Sequence, residues 1–481
     1  MPIPPLASGP QGPDALRPLL DTVLDALRAG TRARGGPLPV GGPEAVAARV
    51  REAVGDVLPA QGAPDALRAL VHMFAEGAAD PADPLCAAHL HCPPLAAATA
   101  ADLAASALNP SLDSWDQAPA ASALEALVTR ALAAEAGLAD ALVTTGGTEA
   151  NQLALLLARE RTREQSRQET RERPRELTRE QARAAHGGTV RLVCGANAHH
   201  SLPRAAWLLG LPEPVVLPTP AGVLDPAVLD EALTHLEGPL LVAATAGTTD
   251  AGLIDPLPDI AARCAVHGAR LHIDAAYGAG LLFSDRHRAR LTGLDAADTV
   301  TLDLHKLGWQ PVAAGLLAVR DPGDLAALRQ RADYLNADDD TEAGLPDLLG
   351  RSLRTSRRPD ILKIAVTLKT LGRTGLGQLV DRVCALAHEF ADLVGNHPRL
   401  DLHDRPTLST VLFRPTGASD DTVAAVRRRL LTEGRAVLGR ARLDGRLWLK
   451  ATLLNPATSP ADLAALLTLV EATLAEGNTP G

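Results

Sequence analysis

The feature that most constrains the fold is an alternation of short apolar runs and helical stretches between residues 125 and 320. The runs Leu240–Thr245, 270–274 and Thr299–Asp303 have the length and composition of buried strands. Between the first two, Leu257–His267 has helical spacing, and Gly268 follows it as a stop signal. Strands that alternate with helices predict a mostly parallel sheet with helices on both faces, which is the α/β class.

Polar side chains stand at the carboxyl ends of these runs. Thr245, Asp274 and Lys306 fall where ligands collect in such sheets. A strand-end carboxylate followed by a lysine is the pair that a pyridoxal phosphate (PLP) enzyme needs, because the amine binds the cofactor and the carboxylate pairs with the pyridinium nitrogen. The sequence therefore predicts PLP as the cofactor, with Lys306 and Asp274 as catalytic residues.

A glycine-rich turn precedes the helical run 152–158. Glycines at a helix start let backbone N–H groups close on an anion, and the helix dipole favours phosphate. Gly146, Gly147 and Thr148 are therefore the predicted phosphate-binding residues. A Gly-Gly pair alone is more often only a turn, so this prediction depends on the lysine and the aspartate.

His199 follows the predicted strand 190–194. A flat imidazole at this position would stack on the cofactor ring and steer protonation of the substrate's α carbon. The alternative is an ordinary loop histidine with a satisfied hydrogen bond, and the lysine–aspartate pair is the reason for preferring the first interpretation.

The bulk composition limits the classes of partner. A net charge of −10 over 481 residues argues against a nucleic-acid surface. Five cysteines without metal-ligand spacing fit thiols in a reducing cytoplasm, and we expect no metal site. We also expect no signal peptide and no membrane segment, since no apolar run approaches the necessary length.

Three regions are predicted along the chain. Residues 1–100 have helical spacing and are expected to pack on a partner subunit, residues 101–370 form the large α/β domain, and residues 371–481 form a smaller domain. The charged insertion 159–187 is interpreted as a solvated helical extension broken near Pro174, with an electrostatic docking arm as the alternative.

Several motifs taken together resemble one family. They are TTGGTEAN at 144–151, AHHS at 198–201, ATAGTTDAGLIDP at 244–256, HIDAAYGAG at 272–280 and DLHK at 303–306. The set resembles the group II PLP-dependent amino acid decarboxylases over residues 80–475. Within that family, other stretches are most similar to the branch of L-2,4-diaminobutyrate decarboxylases and siderophore-pathway lysine decarboxylases: AAHLHCPP at 87–94, NPSLDSWDQ at 109–117, ADYLN at 332–336, SRR at 356–358 and LKATLLNP at 449–456.

The resemblance implies the architecture and the assembly. The family has the PLP-dependent transferase fold type I, like aspartate aminotransferase, with a mostly parallel seven-stranded sheet and a smaller C-terminal α+β domain. It also implies a homodimer in which two subunits share each active site.

The resemblance further implies a role for each residue of the site. Lys306 binds the cofactor and Asp274 holds its ring nitrogen, while Ala276 and His199 lie on opposite faces of the ring. The remaining cofactor contacts are Thr245 near the ring hydroxyl, and Gly147, Thr148 and His305 along the phosphate or the substrate carboxylate.

The predicted reaction is decarboxylation of a small diamino acid. L-2,4-diaminobutyrate would give 1,3-diaminopropane and CO2, and lysine or ornithine is the alternative substrate. Two further alternatives stay open: another fold type I enzyme such as an aminotransferase or lyase, and a catalytically silent PLP-binding paralogue.

The sequence also offers candidates for the substrate contacts and for the proton donor. Candidate substrate residues are His89, His91, Trp115, Asp116 and Tyr334. Relatives that act on aromatic substrates use a tyrosine on a mobile lid, but the corresponding stretch 337–344 contains none. His199 is therefore the first candidate for the proton donor and Tyr334 the second.

Overall fold

The structure, a computed structural model, describes residues 4–172 and 189–477. These residues form two compact units. One lies within Pro94–Ala105 and Pro110–Asp381, and the other within Met1–Pro93, Ser106–Asn109 and Arg382–Gly481. The three-part division at residues 100 and 370 stays a prediction.

The strands, in chain order, are β1 (Cys86–Ala87), β2 (Asp140–Thr144), β3 (Arg191–Gly195), β4 (Val215–Leu217), β5 (Leu240–Thr245), β6 (Arg270–Ala275), β7 (Thr299–Asp303), β8 (Gly315–Val319), β9 (Leu400–Leu402), β10 (Thr410–Pro415), β11 (Val437–Leu443) and β12 (Arg446–Thr452).

The α-helices are α1 (Gly12–Arg34), α2 (Gly42–Val54), α3 (Ala66–Glu76), α4 (Ala96–Leu108), α5 (Pro119–Glu135), α6 (Gly147–Glu172), α7 (Ser201–Leu208), α8 (Pro226–His235), α9 (Leu257–His267), α10 (Asp333–Asn336), α11 (Asp338–Glu342), α12 (Ile361–Gly395, interrupted at Gly372), α13 (Asp420–Thr432) and α14 (Pro460–Gly477). Short 3₁₀ helices cover Gly278–Phe283, Arg288–Leu291, Leu294–Ala296, Pro322–Leu328 and Leu349–Arg351.

The larger unit is built on a seven-stranded sheet in the order β2-β8-β7-β6-β5-β3-β4. Only β8 runs antiparallel to its neighbours in this sheet. All residues of β5 and β7 are buried, so both faces of the sheet are covered, as expected for parallel strands joined by helices. The predicted α/β architecture with a mostly parallel sheet is confirmed.

The other unit contains a five-stranded sheet in the order β1-β11-β12-β10-β9. Its C-terminal strands are antiparallel, and the short strand β1 adds to the edge in parallel with β11. An edge-to-face pair of Phe390 and Phe413, with ring centroids 5.4 Å apart, lies in the core between this sheet and its helices.

Helix α6 contains residues 159–172 of the charged insertion 159–187. It is helical through Glu172 and contains charge pairs such as Arg163–Glu160 at 2.8 Å. Residues 173–187, with the break expected at Pro174, lie outside the described residues. Within the described part of the chain, no helix is both long enough and apolar enough to cross a membrane.

The cysteines are mostly buried, and no disulfide joins any two of them. Cys194 lies in β3 and Cys264 lies in α9, and both elements belong to the larger unit. Burial raises the pKa of the Cys194 thiol to about 11 and that of the Cys264 thiol to about 12. Both thiols are therefore protonated at neutral pH.

A close backbone approach connects the antiparallel strand β8 with the turn before α6. A Cβ atom on Gly315 would lie 2.5 Å from Gly146 Cα and 2.6 Å from Thr144 Oγ1. Gly146 itself has φ 150°, a conformation that side chains disfavour. The turn and β8 therefore fit together only because both positions are glycine.

We expect Gly315→Ala to lower the free energy of unfolding by about 1–3 kcal/mol, because the added methyl group overlaps backbone atoms that cannot move independently. Urea unfolding measures the change. Gly62→Ala is the control, since nothing lies within 4 Å of a Cβ there. Equal unfolding midpoints for the two variants would contradict the packing argument.

Candidate active site

The Asp274 carboxylate lies at the carboxyl end of β6, in the centre of the large sheet. The residue is 5% exposed, and it pairs in register with Thr245 on β5 and Thr301 on β7. Its Oδ1 accepts a hydrogen bond from the Ala276 N–H at 3.0 Å, and its Oδ2 accepts one from Asn151 Nδ2 at 2.7 Å. Both oxygens therefore act as acceptors.

Asn151 connects this carboxylate to two strands and a helix. Its Nδ2 also donates to Ser201 Oγ at 2.8 Å, while its Oδ1 accepts from Thr301 Oγ1 at 2.8 Å and lies 3.0 Å from His272 Nε2. The side chain is fully buried, and all four of its hydrogen-bonding positions are used. The amide therefore has one orientation that satisfies every neighbour.

His272 is a fully buried histidine on β6, and burial lowers its pKa well below the usual range. The nearby Asp274 carboxylate opposes this effect but does not outweigh it. His272 Nδ1 lies 2.9 Å from Thr299 Oγ1. The ring is therefore neutral at neutral pH and is held at both nitrogens.

His199 joins the same cluster through Ser201. Its Nδ1 lies 2.8 Å from Ser201 Oγ and receives the Ser201 backbone N–H at 3.4 Å. Its ring lies 4.1 Å from that of His200, centroid to centroid. Burial lowers the pKa of His199, and the charges of Asp274, Lys306 and Asp303 are close enough to act on it.

Lys306 follows β7 and pairs with a carboxylate of that strand. Its Nζ lies 2.9 Å from Asp303 Oδ2, which also accepts the Gly147 backbone N–H at 3.0 Å. Asp303 Oδ1 is buried and has no hydrogen-bond partner among the described residues. One carboxylate thus holds both the predicted cofactor lysine and the first residue of α6.

The glycine turn lies against Ala276 and His305. A Cβ on Gly147 would be 3.1 Å from Ala276 Cβ, and one on Gly146 would be 3.0 Å from His305 Cε1. His305 Nε2 lies 3.6 Å from Asp303 Oδ2, and burial lowers the pKa of this imidazole. Side chains larger than glycine would fill the space at the start of α6.

Thr245 is held by its backbone, and its hydroxyl is left unpartnered. Its N–H donates to Asp255 Oδ2 at 2.7 Å, whereas Thr245 Oγ1 is buried without a hydrogen-bond partner in the described chain. Asp255 Oδ1 accepts from Asn197 Nδ2 at 2.9 Å, on the loop that carries His199. Asp255 therefore fixes the end of β5 relative to that loop.

Other predicted residues stand apart from this cluster. Thr148 is exposed at the start of α6, and Asp116 is exposed in the loop before α5. Trp115 is 40% exposed and lines a separate cavity of about 330 Å³, and Tyr334 is 81% exposed. Among the described residues, no hydrogen bond or ion pair joins these four to Lys306 or Asp274, so their roles stay predictions.

His89 and His91 belong to the other compact unit. Both are exposed, and His89 has a left-handed backbone conformation with φ 63°. Their part in substrate binding stays a prediction.

Sequence reasoning did not single out several residues that the structure places in the cluster: Asn151, Ser201, His272, Thr301 and Asp303. A signal was present, because a histidine or threonine inside an otherwise apolar parallel strand is buried and needs a partner. The identity of each partner was not available, since the pairs are far apart in sequence.

Comparisons with known proteins place the chain in a family. Residues 69–416 match the family model described as the pyridoxal-dependent decarboxylase conserved domain. The chain belongs to the pyridoxal-dependent decarboxylases. This decarboxylase is 41% identical over 392 residues to the L-2,4-diaminobutyrate decarboxylase of Rhizobium meliloti (strain 1021), covering 78% of this chain and 75% of that protein. It is 32% identical over 425 residues to the L-2,4-diaminobutyrate decarboxylase of Acinetobacter baumannii, covering 85% and 83%.

A solved structure supports the fold. The glutamate decarboxylase domain of the diaminobutyrate-pyruvate transaminase and L-2,4-diaminobutyrate decarboxylase from Vibrio parahaemolyticus superposes with a TM-score of 0.83, at 30% identity and 98% coverage of both chains. The decarboxylase has fold type I, and PLP is its cofactor.

The residues of the site fit PLP chemically. The pyridinium nitrogen needs a carboxylate acceptor, the phosphate needs backbone donors without side-chain obstruction, and the ring hydroxyl needs a polar partner. Asp274, the Gly146–Gly147 turn at a helix start and the unpartnered hydroxyl of Thr245 meet these needs in turn.

The buried His272 predicts a pH dependence of stability. In the unfolded chain the imidazole binds its proton near pH 6.5, whereas the folded protein resists protonation until about pH 4. The stabilisation is therefore complete above about pH 6.5 and is lost as the pH falls toward about 4. We expect His272→Gln to show a smaller loss of unfolding free energy than the wild type between about pH 7.5 and pH 5.

Urea titrations at both pH values measure this slope. His235→Gln, at an exposed histidine that ends α8, is the control and is expected to match the wild type. Parallel slopes for the wild type and His272→Gln would show that His272 is not the titrating group.

Proposed function

We propose that this decarboxylase acts on L-2,4-diaminobutyrate and releases CO2 and 1,3-diaminopropane. The observation that carries the proposal is that two relatives matched over most of their length, from Rhizobium meliloti and Acinetobacter baumannii, both bear this activity in their names. The Lys306, Asp303 and Asp274 cluster supplies the groups that the chemistry requires.

Bound PLP supplies an electron sink for the bond that breaks at the α carbon. The residues of this chain provide the rest. Asp274, already oriented by Asn151 and the Ala276 N–H, would accept the hydrogen bond of the ring nitrogen and keep that nitrogen protonated. Lys306 would bind the cofactor through its amine. Before the cofactor binds, Asp303 Oδ2 would hold the Lys306 amine in place.

The substrate carboxylate leaves as CO2, and a proton must be added to the α carbon in its place. His199 is our proposed donor, since it lies in the cluster with Ser201 and is partly buried. Tyr334 is the second candidate. A largely buried site favours the loss of a charged carboxylate by excluding water.

The second amine of the substrate needs an acceptor. We propose Asp116 or the exposed run 338–340 on α11. Asp338 forms a 2.7 Å ion pair with Arg331. Exposed ion pairs contribute little free energy, so Asp338 can replace Arg331 with another cation at little energetic cost. The acidic run can therefore take up an ammonium group.

We expect the purified protein with PLP to release CO2 from 2,4-diaminobutyrate faster than from lysine, ornithine, glutamate or DOPA. Lys306→Ala should lower the rate by a factor of about 10³ or more, because the residue acts as a unit with the cofactor. Lys369→Ala, at an exposed lysine, is the matched control.

Amine product and CO2 are measured together. Cadaverine or putrescine as the main product would transfer the proposal to lysine or ornithine. An aminotransferase product would assign another fold type I reaction. Cofactor absorbance without CO2 from any substrate would leave a silent PLP-binding paralogue.

We also infer a homodimer in the cytoplasm. Support for the dimer comes from α1 and α3, which expose large apolar side chains that a monomer would leave in water. Leu24 is 56% exposed, Leu70 40% and Phe74 72%. The absence of disulfides among the cysteines is consistent with a reducing compartment.

We expect Phe74→Glu to weaken self-association, because a charge at the centre of an apolar contact leaves an unpaired buried ion. Sedimentation velocity over a range of protein concentrations measures the effect. Trp207→Glu, an equally exposed apolar residue at 74%, is the control. A monomer at all concentrations, or a dimer unaffected by Phe74→Glu, would contradict this assignment.

A further inference from the structure

The hydrogen bonds around Asn151 have a fixed direction. Asp274 Oδ2 can only accept a hydrogen bond from Asn151, because an ionised carboxylate has no hydrogen to donate, and its Oδ1 likewise accepts the Ala276 N–H. Asn151 must therefore turn Nδ2 toward Asp274, and its Oδ1 toward Thr301 and His272. The carboxylate thus decides the orientation of the amide.

The second hydrogen on Asn151 Nδ2 determines the role of the next group, Ser201. It is donated to Ser201 Oγ at 2.8 Å, so one lone pair of that oxygen is occupied. The Ser201 hydroxyl hydrogen is then available for His199 Nδ1 at 2.8 Å. The Ser201 backbone N–H points at the same nitrogen from 3.4 Å. Two donors converge on Nδ1, which must therefore carry a lone pair.

We propose that Asn151 and Ser201 are positioning residues that set the tautomer of His199, so that its ring proton lies on Nε2. The same amide acts on a second ring, because Asn151 Oδ1 accepts only when His272 Nε2 carries the proton. Thr299 Oγ1 then donates to His272 Nδ1 at 2.9 Å. One asparagine therefore orders the protons of two histidines.

The groups around His199 are compatible with a neutral ring. Burial acts against its charged form, His200 and Lys306 act in the same direction, and Asp274 and Asp303 act in the opposite direction. The net result is a pKa below the usual value for histidine. A neutral imidazole has one proton, and the hydrogen bonds above determine which nitrogen holds it.

The consequence for catalysis rests on the proposed function, whereas the tautomer does not. If His199 delivers the proton to the α carbon, that proton leaves from Nε2, and solvent water must return a proton to Nε2 before the next turnover because the Ser201 donors keep Nδ1 an acceptor. A His199 with the proton on Nδ1 would present a lone pair at Nε2 and could not donate from that nitrogen.

The test is nitrogen NMR on the full chain with ¹⁵N-labelled histidine, first without PLP and then with it. Long-range proton–nitrogen spectra distinguish a protonated ring nitrogen from one with a lone pair. His199→Gln and His272→Gln assign the two sets of signals. We expect both rings to show a protonated Nε2 and a lone pair at Nδ1.

Three variants separate the contributions. Ser201→Ala removes the hydroxyl donor, so His199 alone should shift toward a mixture of tautomers, and Ser201→Thr should restore the wild-type signals. Asn151→Asp keeps the shape but removes the Nδ2 donor, so both rings should shift. Thr301→Val, which removes a different hydrogen bond to Asn151, should shift neither.

Circular dichroism and thermal unfolding check that each variant is folded. If Asn151→Asp does not fold, Ser201→Ala alone tests the proposal. In the PLP-loaded enzyme, Ser201→Ala should lower kcat with little change in KM, because the substrate still binds. A protonated Nδ1 on wild-type His199, or an unchanged His199 spectrum in Ser201→Ala, would overturn the proposal. Neither result depends on which amino acid the enzyme decarboxylates.

Discussion

A carboxylate buried at the end of a central strand is costly unless N–H groups surround it, and the site is arranged around this requirement. Asp274 obtains one donor locally, from the Ala276 backbone, and the other from Asn151, 123 residues earlier in the chain. The long-range hydrogen bond ties helix α6 to strand β6. The position of the helix is therefore coupled to the residue that would hold the cofactor nitrogen.

A second carboxylate repeats the arrangement on the neighbouring strand. Asp303, at the end of β7, receives the Gly147 N–H and lies beside Lys306 Nζ. Gly147 and Asn151 are four residues apart on α6 and so face the same side of the helix. Two adjacent strand ends thus hold one helix face. These hydrogen bonds fix the distances between the glycine turn, the lysine and the Asp274 carboxylate.

The sequence was sufficient for the strands and for which polar residues stand at their ends, because both depend on local patterns. The run Leu240–Thr245 is a strand as predicted, and Asp274 and Lys306 are both linked to α6, the first through Asn151 and the second through Asp303. The hydrogen-bond partners were beyond a single sequence. Nothing near Asn151 indicates that its amide meets Asp274 and Ser201, since such pairs form only once the sheet and helix are assembled.

Side chains at the periphery were equally hard to place. Tyr334 and Asp116 were selected by resemblance and by charge, and neither property determines where a loop residue points in the assembled protein. Hydrogen bonds hold the buried side chains of the site in place, whereas exposed loops have few contacts that would fix their side chains.

The buried thiols have a consequence for how the protein meets its chemical surroundings. Oxidants and alkylating reagents attack thiolates, and the raised pKa values of Cys194 and Cys264 keep those sulfurs protonated inside the sheet and its covering helix. Modification must then wait for the surrounding structure to open, so its rate reports the frequency of local opening. Cys384 is buried in the other compact unit, so its modification also requires local opening there. The rates at which these cysteines are modified therefore measure how often each compact unit opens locally.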